Sequence, residues 1–175
     1  ALSIIGKTYD FIYYYDHFYQ PKINVNYSMI YNKCVELTQQ ESLPKQLAIV
    51  QKPHTSCSTI ASEMDLIVTC KKDSLNNIQS AKQYLFEINP DISLFDKIQF
   101  AENCVFGFSP KHKLTTDFYD LFWKHYTNPK YTTYRDQPLW NFLYQHTQHG
   151  FYQLPLEQTI YGRPRHLFDM NRCNS

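Results

Sequence analysis

Three short apolar stretches along the chain have the composition of buried strands. Residues 10–16 form a β-branched and aromatic run between two aspartates. Residues 47–50 form a second run, which Pro53 stops, and residues 103–108 form a third. We therefore predict a strand at each of these positions.

Between these stretches, apolar residues recur at intervals of three and four, the period of an amphipathic helix. The pattern predicts helices over residues 27–37, 56–70, 75–88, about 115–126 and 136 to about 146. Ser74 is expected to cap the third helix, and Thr115 or Thr116 the fourth. Asp136, as an N-cap, and Pro138, in the first turn, are expected to open the fifth.

Short strands that alternate with helices are typical of an α/β fold. The segments joining the strands vary in length, which favours a mixed sheet flanked by helices. A length of 175 residues suits one domain, so we predict a single domain over residues 1–175. The start at Ala1 is typical of an interior position of a longer protein or of a trimmed chain.

Charge and cysteine content narrow the function classes. With 17 basic and 16 acidic residues the net charge is +1, which argues against non-specific binding to nucleic acid. No apolar run approaches the roughly 20 residues of a membrane span. The five cysteines include no C-x-x-C pair and are odd in number, which favours a reducing compartment such as the cytoplasm, or the host cytoplasm for a viral protein.

The aromatic fraction of 17% is high and consists mainly of fifteen Tyr and twelve Phe. Tyrosine combines an apolar ring with a polar hydroxyl, so a tyrosine-rich surface suits planar or hydroxyl-rich ligands. AT-rich coding, which also inflates Tyr, Asn, Lys and Ile, is the alternative explanation.

Two of the predicted strands are followed by side chains suited to a ligand. Asp16 and His17 come at the carboxyl end of the first strand, where open α/β sheets bind ligands, and are candidate ligands for Mg or Mn. Lys52 and His54 come at the end of the second and are candidates for contact with a phosphate or a substrate hydroxyl. The alternatives are a simple strand end and a solvated turn.

Two further positions are candidates for substrate contact. Glu63 lies in the second predicted helix, and we place it on the polar side, opposite Leu66 and Ile67. Gly107 lies in the third predicted strand, where a glycine marks either a close approach by a ligand or neighbour, or a β-bulge.

The segment Arg135-Asp136-Gln137-Pro138-Leu139-Trp140 is the most informative in the chain. A helix start explains Asp136 and Pro138 but requires none of Arg135, Gln137 and Trp140. Together these three provide charge, hydrogen bonding and an aromatic ring, a combination that suits a sugar. The carboxylate of Asp136 could also act as general base on an acceptor hydroxyl.

In this order, the segments resemble a small glycosyltransferase of the GT-A type over about residues 9–150. The segments that carry the resemblance are Tyr13-Tyr14-Tyr15-Asp16, Lys52-Pro53-His54, Glu63, Asn103 to Gly107, and Arg135-Asp136-Gln137. The chain departs from that family in two ways. The usual Asp-x-Asp is absent, and we do not expect the residues before Tyr9 to be enough for the N-terminal strands that normally cradle the nucleotide base.

The resemblance implies a GT-A-like, Rossmann-like fold and transfer of a sugar from a nucleotide-sugar donor to a hydroxyl of a glycan acceptor. It also implies a divalent metal, Mn or Mg, on the donor diphosphate. The site residues would then be Asp16, His17 and His166 for the metal, Arg163, Arg165 or His166 for the diphosphate, Asp136 with Arg135 and Gln137 for catalysis, and Lys52, His54, Glu63, Gly107 and Trp140 for substrate.

Two other functions remain open at this point. The first is a non-catalytic carbohydrate-binding or interaction module that keeps the aromatic surface. The second is a metal-dependent hydrolase that uses Asp16 and the later histidines. His146 and His149 could contribute to such a metal site if the last helix continued past them.

Overall fold

The computed structural model describes residues 8–15, 20–21, 26–39, 45–53, 59–97, 101–153 and 161–162. Within them the strands are β1 (Ile12–Tyr15), β2 (Gln20–Pro21), β3 (Gln46–Pro53), β4 (Ala101–Phe108), β5 (Gly150–Gln153) and β6 (Tyr161–Gly162). The helices are α1 (Tyr27–Gln39), α2 (Ile60–Thr69), α3 (Leu75–Ile88), α4 (Ser93–Asp96), α5 (Lys113–Tyr126) and α6 (Asp136–Thr147).

The main sheet has four strands in the order β1-β4-β3-β5. β4 is antiparallel to both β1 and β3, and β5 is parallel to β3. β1, β3 and β5 therefore run in the same direction. β2 and β6 form a separate antiparallel pair. The predicted α/β class and mixed sheet are confirmed.

The chain divides into two compact units. The first, here called the sheet unit, contains the strands and α1, and the second, the helical unit, contains α2, α3, α4 and α6. The chain passes between the units several times, and one of these boundaries falls within α5, between Asp120 and Leu121. A single domain over the whole chain stays a prediction.

The core of the sheet unit forms where α1 packs on β3. Ile30, Cys34 and Leu37 of α1 contact Ala48 and Val50 of the strand. The run from Leu47 to Gln51 is fully buried, as is expected for a central strand covered on both faces. Burial raises the pKa of the Cys34 thiol to about 12, so this cysteine is a packing residue.

Gly107 lies in the regular part of the sheet, opposite Tyr13 on one side and Val50 on the other. The predicted alternative of a β-bulge is therefore wrong. A Cβ at this position would lie 2.7 Å from the Phe11 ring and 3.2 Å from Ile30 Cγ2. Glycine is required here because a neighbouring aromatic ring fills the space over the strand. A ligand-binding role for Gly107 does not fit this packing.

The helical unit is built on α6, whose residues from Pro138 to Tyr144 are all buried. α2 packs against α4 and α6. The start of α2 is fixed by a capping box, in which Thr59 Oγ1 accepts from the Ser62 N–H at 3.1 Å. The start of α3 is fixed by Ser74, as the sequence predicts, and its Oγ accepts from the Asn77 N–H at 3.1 Å.

The predicted strands and helices are all present, with corrections at two helix starts. α5 begins at Lys113, so neither Thr115 nor Thr116 is its cap; the Thr115 hydroxyl is buried and accepts from the Ala48 N–H at 2.9 Å. Asp136 is the first residue of α6 rather than its N-cap, and Arg135 in the cap position makes no side-chain cap hydrogen bond. Short elements such as α4 and β5 are not predicted by the periodicity.

Two findings bear on the cellular setting. None of the described helices is both long and apolar enough to cross a membrane. Cys70 is disulfide-bonded, whereas the cysteine pattern favours a reducing compartment. The cytoplasmic location therefore stays a prediction.

Candidate functional site

Residues 131–135, here called the tethered loop, form the second half of the connection between α5 and α6 within the helical unit. Three consecutive side chains of this loop donate hydrogen bonds to acceptors around the start of α3. Thr132 Oγ1 donates to the Asn77 carbonyl at 2.8 Å, Thr133 Oγ1 to Asp73 Oδ2 at 2.5 Å, and the Tyr134 hydroxyl to the Lys72 carbonyl. The loop is thus held at three successive residues without regular secondary structure.

Two tyrosines hold the backbone of the same loop. The Tyr126 hydroxyl donates to the Tyr134 carbonyl at 2.8 Å, and the buried Tyr131 hydroxyl donates to the Arg135 carbonyl at 2.7 Å. Burial, and next the Asp136 carboxylate, raise the pKa of both phenols. Both hydroxyls therefore keep their protons at neutral pH and remain donors.

Asp73 is the anchor of this network. Its carboxylate accepts from the Ser74 N–H at 2.7 Å and from Asn77 Nδ2 at 2.8 Å, in addition to the Thr133 hydroxyl. Burial acts to raise the pKa of Asp73, but the hydrogen bonds from Thr133, Asn77 and Ser74 together outweigh it and lower the pKa. The anchor is therefore ionised at neutral pH.

The tethered loop and the end of α5 together expose aromatic rings. Tyr134 is 62% exposed, although its hydroxyl is held by the Lys72 carbonyl, and Trp123 is 50% exposed. The Tyr126 ring links the two, because it meets the Trp123 ring edge-on at 5.6 Å and its hydroxyl binds the Tyr134 carbonyl. We call Trp123, Tyr126, Tyr134 and Arg135 the aromatic surface.

Arg135 brings hydrogen-bond donors to the aromatic surface. Its guanidinium carbon lies 5.7 Å from the centroid of the Tyr134 ring, in a cation–π contact. Its Nε is buried and has no hydrogen-bond partner within the part of the chain that the structure describes. A buried donor without an acceptor is unfavourable, and a ligand could reach this Nε only after the side chain moves.

The structure places the predicted catalytic residues at the end of the tethered loop. Asp136 and Gln137 are half-buried in the first turn of α6, directly after Arg135. The Gln137 carbonyl accepts from Asn141 Nδ2 at 3.0 Å, which stiffens this turn.

Trp140 lies in the core instead. It is 3% exposed and packs edge-on against Phe122 at 5.0 Å and Tyr144 at 5.7 Å. Packing accounts for this indole, and it presents no open ring face to a sugar. The exposed indole is that of Trp123, which the sequence analysis does not select. The sequence does contain an indication that Trp123 is exposed. This residue lies away from the apolar face of α5, and a large ring in such a position is exposed to solvent.

Glu63 is also placed differently from the sequence interpretation. It is 4% exposed and lies on the buried face of α2 with Met64 and Ile67. Its assignment to the polar side of the helix is therefore wrong. Glu63 lies three residues after Ile60 and four before Ile67, so the helical period itself places it on their face.

Several predicted site residues lie outside the described part of the structure, namely Asp16, His17, His54, Arg163, Arg165 and His166, and of Lys52 only the backbone in β3 is described. The strands that precede the first of them are described. Tyr15 and Pro53 end β1 and β3 opposite Val105 and Ala101 of β4. Because β1 and β3 run in the same direction, both end at the same edge of the sheet.

The described residues contain no group of three His, Cys, Asp or Glu side chains arranged to hold a metal ion. The predicted ligands Asp16, His17 and His166 are not among them. α6 ends at Thr147, so His149 does not continue the helix after His146, and the condition for a metal site at this pair is not met. His146 instead stacks on Phe142 at 6.0 Å and hydrogen-bonds Asn89.

Comparison of the chain with protein-family models, with curated proteins and with solved structures found no match. The resemblance to GT-A glycosyltransferases therefore depends on the order of the sequence motifs alone.

Proposed function

We propose that this protein binds a glycan on the aromatic surface of the helical unit, and that this glycan is the acceptor in a sugar-transfer reaction. One observation carries the binding proposal. Two exposed rings, Trp123 and Tyr134, are linked through Tyr126, and the half-buried Arg135 contacts the Tyr134 ring. Aromatic rings cover the apolar faces of sugars, and guanidinium N–H groups donate to sugar hydroxyls.

The tethers favour binding over a merely exposed loop. Five side-chain hydrogen bonds fix residues 131–135 before any ligand arrives. A preformed site loses little conformational entropy on binding, so more of the contact energy contributes to affinity.

The transfer step is the more specific part of the proposal. Asp136 would accept the proton of the acceptor hydroxyl. The oxygen of that hydroxyl would bond to the anomeric carbon of the donor sugar as the bond from this carbon to the nucleoside diphosphate breaks and the diphosphate leaves. The resemblance to GT-A glycosyltransferases assigns contact with the donor to Asp16, Lys52 and His54. A bound Mn or Mg ion would stabilise the leaving diphosphate.

Glycan binding is tested by isothermal titration with a panel of neutral oligosaccharides. Trp123→Ala is expected to weaken binding about tenfold or more, since a stacking contact contributes about 1.4 kcal/mol. Leu75→Ala is the matched control, because it removes an exposed apolar side chain from another helix of the same unit. If the wild type binds no glycan, or if Trp123→Ala binds like the wild type, the proposal fails.

Nucleotide binding separates transfer from simple recognition. Titration with a nucleoside diphosphate, with and without Mn, is expected to show metal-dependent binding. Asp136→Asn is expected to abolish transfer from the nucleotide sugar while glycan affinity persists. Glycan binding without nucleotide binding under any condition would instead identify a non-catalytic carbohydrate-binding module. Metal-dependent hydrolysis of the glycan without a nucleotide would support the hydrolase.

A further inference from the structure

A polar groove, open to solvent, runs along α3 in the helical unit and has a volume of about 460 Å³, within the usual range of small-molecule sites. One wall is formed by successive turns of α3, and the other by the chain that leads from α5 into the tethered loop. The residues that line it are Gln79, Ser80, Gln83, Tyr84, Glu87, Lys130 and Thr132.

The α3 wall presents polar groups that the protein itself does not use. Within the described part of the chain, the side chains of Gln79, Ser80 and Gln83 make no hydrogen bonds. Each amide provides two donors and a carbonyl acceptor, and the hydroxyl can donate and accept. Gln79 and Gln83 are four residues apart, so both project from the same face of the helix.

The charges of the groove select the kind of ligand. Lys130 Nζ and Glu87 Oε2 form an ion pair at 2.6 Å across it, and the hydrogen bond with Glu87 raises the pKa of Lys130. A phosphate on Lys130 would lie against the Glu87 carboxylate, and an ammonium group on Glu87 would lie against Lys130. A neutral hydroxyl meets no such repulsion, because it can accept from the ammonium and donate to the carboxylate.

The floor of the groove is rigid. Tyr84 is buried, its hydroxyl hydrogen-bonds His125 Nδ1 at 2.8 Å, and its ring contacts Tyr131 at 6.4 Å. Because the Tyr84 ring is buried, it gives the groove a fixed floor, and the exposed amides above it would make the hydrogen bonds to a sugar.

We propose that this groove is a second binding site and that its ligand is a neutral sugar unit of the same glycan. This inference rests on the proposed glycan binding and extends it. The chain from Lys130 to Arg135 joins the two sites, because Lys130 and Thr132 line the groove while Tyr134 and Arg135 belong to the aromatic surface. A glycan of several sugars can therefore contact both.

The test uses the full chain and neutral oligosaccharides of one to six glucose or galactose units. The double variant Gln79→Ala/Gln83→Ala is expected to lose about tenfold in affinity for the longest oligosaccharides that bind, equal to about 1.4 kcal/mol. It is expected to keep the wild-type affinity for the shortest. Asn32→Ala, at an exposed amide of α1 in the sheet unit, is the matched control. Circular dichroism verifies that each variant folds.

Nuclear magnetic resonance of ¹⁵N-labelled protein separates this inference from the proposed function. Oligosaccharide is expected to shift the side-chain amide signals of Gln79 and Gln83 as well as the indole signal of Trp123. Shifts at Trp123 alone would contradict glycan binding in the groove and would support glycan binding on the aromatic surface. Shifts at the two amides alone would support glycan binding in the groove and would contradict glycan binding on the aromatic surface. If inorganic phosphate shifts the amide signals as strongly as a neutral sugar does, the proposal that the groove selects a neutral ligand is wrong.

Discussion

The two tryptophans of the helical unit show how differently the same side chain is used in two regions. On the core face of α6, Trp140 is enclosed by Phe122 and Tyr144. At the end of α5, half of Trp123 is exposed to solvent. The Phe122 ring contacts both indoles.

The difference shows that closeness to a motif in sequence is a poor guide to function. Trp140 follows Arg135 and Asp136 in the sequence, and the turn of α6 directs it into the core. Trp123 is twelve positions before Arg135 in the sequence and belongs to the same exposed surface, through Tyr126 and Tyr134. Burial separates the ring that stabilises the fold from the ring that is available to a ligand.

The largest expected effect is on stability at the core tryptophan. Trp140→Ala is expected to lower the free energy of unfolding by about 3–5 kcal/mol, because it leaves a cavity in the core. Trp123→Ala is expected to change it by less than about 0.5 kcal/mol, as at other surface positions. Urea denaturation followed by circular dichroism measures both. Equal losses at the two positions would contradict the comparison.

A smaller effect is expected at the tethers beside the exposed ring. Tyr131→Phe removes a buried hydroxyl and leaves the Arg135 carbonyl without that donor, which is expected to cost about 1–2 kcal/mol. Tyr134→Phe removes an exposed tether and is expected to cost about 0.5 kcal/mol or less. The same urea experiment measures these differences, and Tyr31→Phe, at an exposed tyrosine of the sheet unit, is the control.

The effect of pH on the free energy of unfolding is expected to be smaller still. The structure of the aromatic surface is expected not to change with pH. Burial lowers the pKa of His112, His125 and His149 below the ordinary 6.5. The unfolded chain then binds protons more readily, so stability is full above about pH 6.5 and declines as the pH falls through the folded-state values. Asp73, whose pKa is lowered from 3.8, stays ionised across this range and keeps the tethered loop in place.

Urea midpoints at pH 7.5, 6.5 and 5.5 test this. A decline below pH 6.5 that becomes smaller in His125→Gln is expected, while glycan affinity at pH 5.5 stays close to its neutral value. A midpoint that rises on acidification would show that the burial of these imidazoles has been misjudged.

The smallest expected effect is on fluorescence, and it compares the two indoles directly. Acrylamide is expected to quench the fluorescence of Trp140→Phe, in which only Trp123 emits, more strongly than that of Trp123→Phe. Oligosaccharide is expected to protect the first variant from quenching and to leave the second unchanged. Equal quenching in the two variants would mean that the environments do not differ.

Local pattern was sufficient for the longer elements and insufficient for the site. Helices such as α3 are predicted because their period and the Ser74 cap lie within one stretch of sequence. β5 has four residues and forms by pairing with the distant β3, so no local period predicts it. The tethers of Thr133 and Tyr134 join residues about sixty positions apart, which a single sequence does not indicate.

Glu63 and Trp140 illustrate the same limit on a finer scale. The sequence assigns each to a helix correctly and gives each the wrong surroundings. For Trp140, the covered side of the helix depends on elements that come from other parts of the chain, whereas the spacing of Glu63 from Ile60 and Ile67 already indicates the buried face. A residue whose side chain can bind or react therefore indicates a site only after its neighbours are known.

The order of the strands in the sheet has a consequence for synthesis on the ribosome. Both neighbours of β3 in the sheet, β4 and β5, are translated after it. The apolar run Leu47-Ala48-Ile49-Val50 must therefore emerge before either partner exists. We expect this segment to be where a chaperone engages the nascent chain, because it stays unpaired while about fifty further residues are translated.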